Sequence, residues 1–258
     1  MVNIYTYYEN LADSKFSNQE ELIELWKKSW HKKGFQAIVL GKSDTLNSLI
    51  YQDFKKCIKK YHLEIMGQEI TPYGMSCYDR WCAYSTIDSE EAFYVSDYDI
   101  INNNYTHNIE YKGLSFLDGS CPCFAYGKSE DFLRFCVAIM KILKKNKSKM
   151  KKIVPELNWI KFLHDQEFLD LNFSDQLKPK LMPDYFNEEA KTFRDKYNIS
   201  ISRNRPDICG PLFHESDLNN KIIHFSHDSV SKFKQTKKNL TNKSCDEARV
   251  CLISSILK

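Results

Sequence analysis

Short apolar and aromatic runs alternate with longer stretches whose apolar positions recur every three or four residues. Val2-Asn3-Ile4-Tyr5-Thr6-Tyr7-Tyr8 is rich in β-branched and aromatic side chains and predicts a first strand over 2–8. Leu22, Leu25, Trp26 and Trp30 then fall at helical spacing, with Ser17-Asn18-Gln19-Glu20 predicting a capping box and Gly34 a stop. Phe35–Leu40 predicts a second strand, and Asp44 the cap of a helix running to about Tyr61. A third helical stretch, 73–87, leads into the run Ala92-Phe93-Tyr94-Val95, which reads as a buried strand. Strand–helix repeats of this length predict an α/β domain, a mixed but mostly parallel central sheet with helices on both faces.

The second half is less regular. Ser129–Lys145 predicts a helix, 164–173 a helix or tight loop, Lys221–His227 a strand carrying two histidines, and 246–257 a final short helix. No internal repeat or Gly/Ser- or Pro-rich linker divides the chain. The simplest division is one domain over 1–258, its front half (1–105) and back half (106–258) doing different work.

At 258 residues, with 42% apolar and 28% charged content, the chain can bury a full core. A net charge of +3 is too small to make nucleic acid the expected partner. The start Met1-Val2-Asn3-Ile4 has neither a basic n-region nor an apolar h-region, and no run approaches membrane-span length. Nine cysteines, an odd number without repeating spacing, predict free thiols and a cytoplasmic setting; Cys121-Pro122-Cys123 reads as packing. The basic run Lys141–Lys152 is either a solvated helix end and loop or a weak contact for an anionic membrane surface. The 14% aromatic content suits sugar rings and nucleobases and equally fills cores.

The candidate chemistry begins where the third strand ends, at Asp97-Tyr98-Asp99. In an extended chain these two carboxylates project from one side, with Tyr98 on the other as structural support. Paired carboxylates at the carboxyl end of a parallel strand are hard oxygen ligands for Mg²⁺ or Mn²⁺; they are equally two solvated acids opening a loop.

Four segments, taken in order, resemble the GT-A-type glycosyltransferases. Residues 2–8 look like the strand and loop that cup the nucleoside; 78–99 look like an Arg-bearing helix followed by the strand that ends in D-x-D. His164-Asp165-Gln166 is similar to the Asp-Gln element beyond the acceptor-facing loops, and 221–227 to the late strand whose histidine completes the metal site. The chain departs from the family-eight pattern after His224-Phe225, which no Gly or Lys-Pro-Trp follows; that leaves Lys232 as the nominee for a phosphate-binding lysine.

The resemblance implies a Rossmann-like α/β/α sandwich. It implies transfer of a sugar from a nucleotide-diphosphate donor, UDP-linked by preference, to a glycan or other hydroxyl acceptor. Asp97, Asp99 and His224 would hold Mn²⁺ or Mg²⁺, with His227 as the alternative histidine. Thr6, Tyr7, Tyr8, Arg80 and Lys232 would bind the donor. Asp165 and Gln166 would act at the acceptor side, with Asp118 a second base candidate and Trp159 a possible stacking surface. Two rivals stay open: a nucleotidyltransferase or phosphohydrolase, which wants a third carboxylate near the pair, and a non-catalytic sugar-nucleotide-binding module.

Overall fold

β1 (Val2–Tyr7) is the strand around which the rest is arranged. The computed structural model describes residues 2–11, 17–117, 123–157, 199–201, 209–237 and 240–258. α1 (Gln19–His31) leads to β2 (Phe35–Leu40), parallel to β1 with Val2 opposite Phe35 and Tyr7 opposite Leu40. α2 (Lys42–Leu46), α3 (Tyr51–Met66) and α4 (Pro72–Tyr84) then carry the chain to β3 (Phe93–Ser96), parallel to β1 on its other side. After β4 (Ile100–Asn102) come β5 (Leu114–Phe116), β6 (Phe124–Gly127) and the long helix α5 (Ser129–Leu157). β7 (Ile199–Ile201), β8 (Cys209–Pro211), a 3₁₀ turn (Glu215–Asn219), β9 (Ile222–His224), α6 (His227–Gln235) and α7 (Cys245–Ile256) complete the described chain.

The main sheet has the order β2-β1-β3-β6-β5-β7, and a second sheet has the order β4-β9-β8. The expected α/β architecture is present: β2-β1-β3 form a continuous parallel run, and β5 pairs parallel with β7 at the far edge of the sheet. β6 runs antiparallel to both β3 and β5. Of the small sheet, only β9 was expected, within the strand read over Lys221–His227; β4 and β8 were not. Its strands are three residues each, too short to show a period.

Side-chain alternation along the strands explains the layers. Tyr5, Tyr7, Phe93, Val95 and Ala125 pack with Phe54, Trp81 and Phe132 of α3, α4 and α5. Their neighbours Ile4, Tyr94, Phe124 and Tyr126 pack with Trp26 and Trp30 of α1, with the small sheet, and with α6 and α7. The chain leaves β1 over one face to reach β2 and returns over the other to reach β3. The strand order therefore reverses between β1 and β3, and the crevice outside their carboxyl ends is where open α/β sheets place ligands.

Local expectations fail where distant contacts intervene. The capping box at Ser17–Glu20 does not form: α1 begins at Gln19, Asn18 takes φ 56°, and the Ser17 amide donates to Asp246 Oδ2 at 2.8 Å. Asp44 does not cap a long helix. Its Oδ2 accepts from the Gly41 amide at 2.7 Å within α2, and a turn at 47–50 separates α2 from α3. α5 continues through the lysine run to Leu157, where a helix end and loop were expected. The late strand stops at His224; Ser226 accepts from the Ser229 amide and caps α6, so His227 stands on a helix. Among the described residues no helix is long and apolar enough to cross a membrane.

The two tryptophans of α1 tie both sheets together. Trp26 Nε1 donates to Ser96 Oγ at 2.9 Å and Trp30 Nε1 to the Ile100 carbonyl at 3.1 Å. Trp30→Ala leaves a cavity and an unpaired carbonyl at a fully buried position, and is expected to cost about 3–5 kcal/mol in urea unfolding. Leu49→Ala, at a side chain 97% exposed, should stay within about 0.5 kcal/mol.

Candidate functional site

The two aspartates lie in the turn between β3 and β4, where the Ile100 amide donates to the Asp97 carbonyl at 3.0 Å. The strand has ended at Ser96, so the same-side alternation expected of an extended chain does not apply. Each carboxylate meets an arginine from a different layer. Asp97 Oδ1 pairs with Arg80 Nη1 of α4, and Asp99 Oδ2 with Arg249 Nη2 of α7. The repulsion built into Asp97-Tyr98-Asp99 is relieved by two separate guanidinium groups.

Arg80 is placed by the way α4 is seated. Thr71 Oγ1 accepts from the Gly74 amide at 3.0 Å and Pro72 takes the first helical position, which starts α4 sharply. Its buried residues include Asp79, Arg80 and Trp81 in succession, each with its own neighbour. Asp79 is not the partner of Arg80: it pairs with Lys42 and accepts from Tyr51 Oη at 3.3 Å. With Asp79 tied toward α2 and Trp81 lying in the aromatic core, Arg80 is left to reach Asp97, its guanidinium 4.6 Å from the centre of the Trp81 ring.

Arg249 is held at three points. Its Nε donates to the Phe225 carbonyl at 2.8 Å, its Nη1 to Asp246 Oδ1 at 3.1 Å, and its Nη2 to Asp99. Burial by itself lowers the guanidinium pKa, but Asp99, Tyr98 and Asp246 overcome it and raise the value above its ordinary level. Asp99 Oδ1 is buried and accepts no hydrogen bond among the described residues; His224 Nε2 lies 3.7 Å from it. The other ring nitrogen of His224, Nδ1, faces Cys123 Sγ at 3.6 Å. Burial raises the pKa of Asp97, Arg80 opposes that rise, and the neighbouring Asp99 carboxylate reinforces it.

Tyr7 and Tyr8 stand at the end of β1 beside this turn. Tyr7 Oη donates to Glu9 Oε2 at 2.9 Å, and Tyr8 meets Tyr98 edge to face. Tyr98 donates to Gln19 Oε1, consistent with support of the turn. Thr6 is fully buried, and its hydroxyl makes no hydrogen bond among the described residues. Lys232 stands apart on α6, its ammonium 5.5 Å from the centre of the Phe213 ring, and among the described residues it contacts neither aspartate. Asp118, Asp165, Gln166 and Trp159 lie outside the described residues.

Among the described residues no three His, Cys, Asp or Glu side chains converge as a complete metal-binding group. What the turn offers is a pair, Asp99 Oδ1 and His224 Nε2. Two ligands each about 2.1 Å from one ion sit roughly 3.0–3.6 Å apart, close to the spacing found here. Mg²⁺ and Mn²⁺ commonly take one or two side chains and complete their shell with water and phosphate oxygens. Asp99 Oδ1 and His224 Nε2 are therefore two donor atoms of the kind such an ion takes, placed side by side.

The sequence reading did not include Arg249. One local signal existed: it stands three residues after buried Asp246 and four before buried Ile253, a cation on the buried face of a short helix. Its partner, 150 positions away, was not legible.

Residues 2–167 match the family described as Domain of unknown function (DUF8765), and the chain belongs to that family. Arg80, Asp97 and Asp99 fall inside the matched region, while His224 and Arg249 lie beyond it. The chain matches no curated protein and no solved structure.

Because the folded-state pKa of Asp97 is raised above 3.8, folding favours its protonated form. The stability tied to that proton is complete below 3.8 and is lost as pH rises through the raised value. Asp97→Asn abolishes the titration. Its stability relative to the unaltered protein should therefore increase as pH rises above 3.8 in urea titrations at several pH values; a flat difference would contradict the assignment.

Proposed function

We propose that the chain is a metal-dependent glycosyltransferase of GT-A type, moving a sugar from a UDP-linked or similar donor to a glycan or other hydroxyl acceptor. The observation that carries this reading is the Asp97–Asp99 turn at the carboxyl ends of β1 and β3, where the strand order reverses and a buried Asp99 oxygen faces His224. The four-segment resemblance in sequence supports it from a separate direction.

Transfer breaks the bond between the anomeric carbon and the diphosphate, so negative charge grows on the departing phosphate. A divalent ion held at the turn would supply positive charge and orientation to that phosphate. Asp99 and His224 would hold such an ion, with Asp97, paired to Arg80, standing beside them. Arg249 neutralises the far oxygen of Asp99 and so limits the cost of keeping a carboxylate in this recess. Tyr8, only partly buried, presents an aromatic face at the end of β1 for the nucleoside, while the Tyr7 ring packs in the core beneath. Asp118, Asp165 and Gln166 keep their acceptor-side roles, and Lys232 a phosphate contact, on the strength of the sequence resemblance. A cytoplasmic enzyme working at a membrane surface would suit the lysine run of 141–152.

The phosphoryl-transfer alternative is less well supported. Beside Asp99 the described structure brings Arg249 and His224, and the nearby carboxylate of Asp246 is committed to Arg249 and Ser17. A non-catalytic nucleotide-sugar-binding module would keep donor binding and lose turnover.

The test is thermal unfolding with a panel of nucleotide sugars in Mn²⁺ or EDTA, together with slow donor hydrolysis. At about 100 times Kd a bound donor contributes roughly 2.7 kcal/mol, a rise in Tm of about 5–10 °C that EDTA should abolish. Asp99→Asn should remove the Mn²⁺-dependent rise while circular dichroism stays unchanged. If no nucleotide sugar shifts the transition in Mn²⁺, the transferase reading fails; a shift without hydrolysis or transfer favours the binding module.

A further inference from the structure

We infer that Arg249 is a positioning residue that decides which oxygen of Asp99 meets the ion, so that a divalent cation is gripped on the Asp99–His224 edge and not between the two aspartates. The inference rests on the metal-dependent reading above. Asp99 has two oxygens with different surroundings. Oδ2 is taken by Arg249; Oδ1, buried and without a hydrogen bond among the described residues, looks toward His224 Nε2 at 3.7 Å.

Arg249 is suited to this work because it is itself immobilised. Its side chain is 4% exposed, and its bonds to the Phe225 carbonyl and Asp246 leave only one nitrogen, Nη2, directed at Asp99. Asp246 is anchored in turn by the Ser17 amide at 2.8 Å, so α7, the chain after β9 and the start of α1 converge on one guanidinium. The Asp99 main chain is tied to the same place, since its carbonyl accepts from the Phe225 amide at 2.9 Å. A planar fork bonded on three sides fixes the carboxylate plane in a way a flexible ammonium does not.

The opposite jaw has its own backing. His224 pairs with Ile100 in the small sheet, and Cys123 Sγ stands at its far ring nitrogen. Asp97 contrasts with this arrangement in exposure: its side chain is 31% exposed against 13% for Asp99. Of the two aspartates, Asp99 is the better-oriented ligand. Ligands whose supporting groups are fixed bind an ion without first being ordered.

The test is Mn²⁺ titration of the full chain, with free ion read by electron paramagnetic resonance and folding checked by circular dichroism. Arg249→Met should weaken Mn²⁺ binding by about 10–100-fold, the usual loss when support behind a ligand is removed. Arg249→Lys keeps the charge but not the three-way fork, and should fall between Arg249→Met and the unaltered protein. Asp97→Asn should lose less than Arg249→Met. If Arg249→Met does not fold, Arg249→Lys carries the comparison. Unchanged Mn²⁺ affinity in the folded Arg249 variants overturns the inference, as does an Asp97→Asn loss equal to that of Arg249→Met. Absence of Mn²⁺ uptake by the unaltered chain defeats the metal-dependent reading itself, and the inference with it.

Discussion

Two carboxylates one residue apart, one of them largely buried, are kept together only if their charge is answered, and the fold answers it twice. Arg80 arrives from the α4 layer and Arg249 from the α7 layer, one for each aspartate. The β3–β4 turn is thus the point at which both helical layers and both sheets are electrostatically joined. Breaking one buried pair leaves a bare guanidinium or a bare carboxylate, which costs more than the intact pair contributes. This makes the turn a constraint on where α4 and α7 can sit, as well as a candidate site.

The surrounding packing serves that placement. Lys42 and Tyr51 hold Asp79 on one side of α4, and the aromatic core of Trp81, Phe132 and Phe93 holds the next side, so Arg80 has little freedom in direction. Trp26 and Trp30 perform the equivalent service for α1, bonding the last residue of β3 and the first of β4 on either side of the aspartates. A turn held from several sides in this way is preorganised for whatever it binds. The family to which the chain belongs spans the Arg80–Asp97 half of this arrangement; the histidine and second arginine come from the later segment.

Much of the element order was legible because its causes are local. Alternating aromatic and aliphatic residues in 2–8 and 35–40, the helical spacing of Leu22, Trp26 and Trp30, and the apolar run before Asp97 each act within a few residues of chain. Readings failed where a short-range preference competed with a distant partner. Ser17 has the right neighbours for a capping box, yet its amide is drawn to Asp246, 229 positions away. Asp79 stands beside Arg80 in sequence, yet consecutive helical residues point about 100° apart, and Lys42 claims it. The three-residue strands of the small sheet carry no period of their own and exist through pairing with one another.

By itself, then, the amino-acid sequence determined the α/β class, the core-facing residues of the long elements, and the placing of an Asp pair after a buried strand. Periodicity and side-chain chemistry act locally and can be read locally. Only the tertiary structure decided that the pair is a turn, not a strand end, that its two charges are answered by arginines 17 residues upstream and 150 residues downstream, and that Asp99 rather than Asp97 faces the histidine. Those outcomes depend on which helix packs over which face of the sheet, and a buried charge selects its partner from whatever that packing brings within reach.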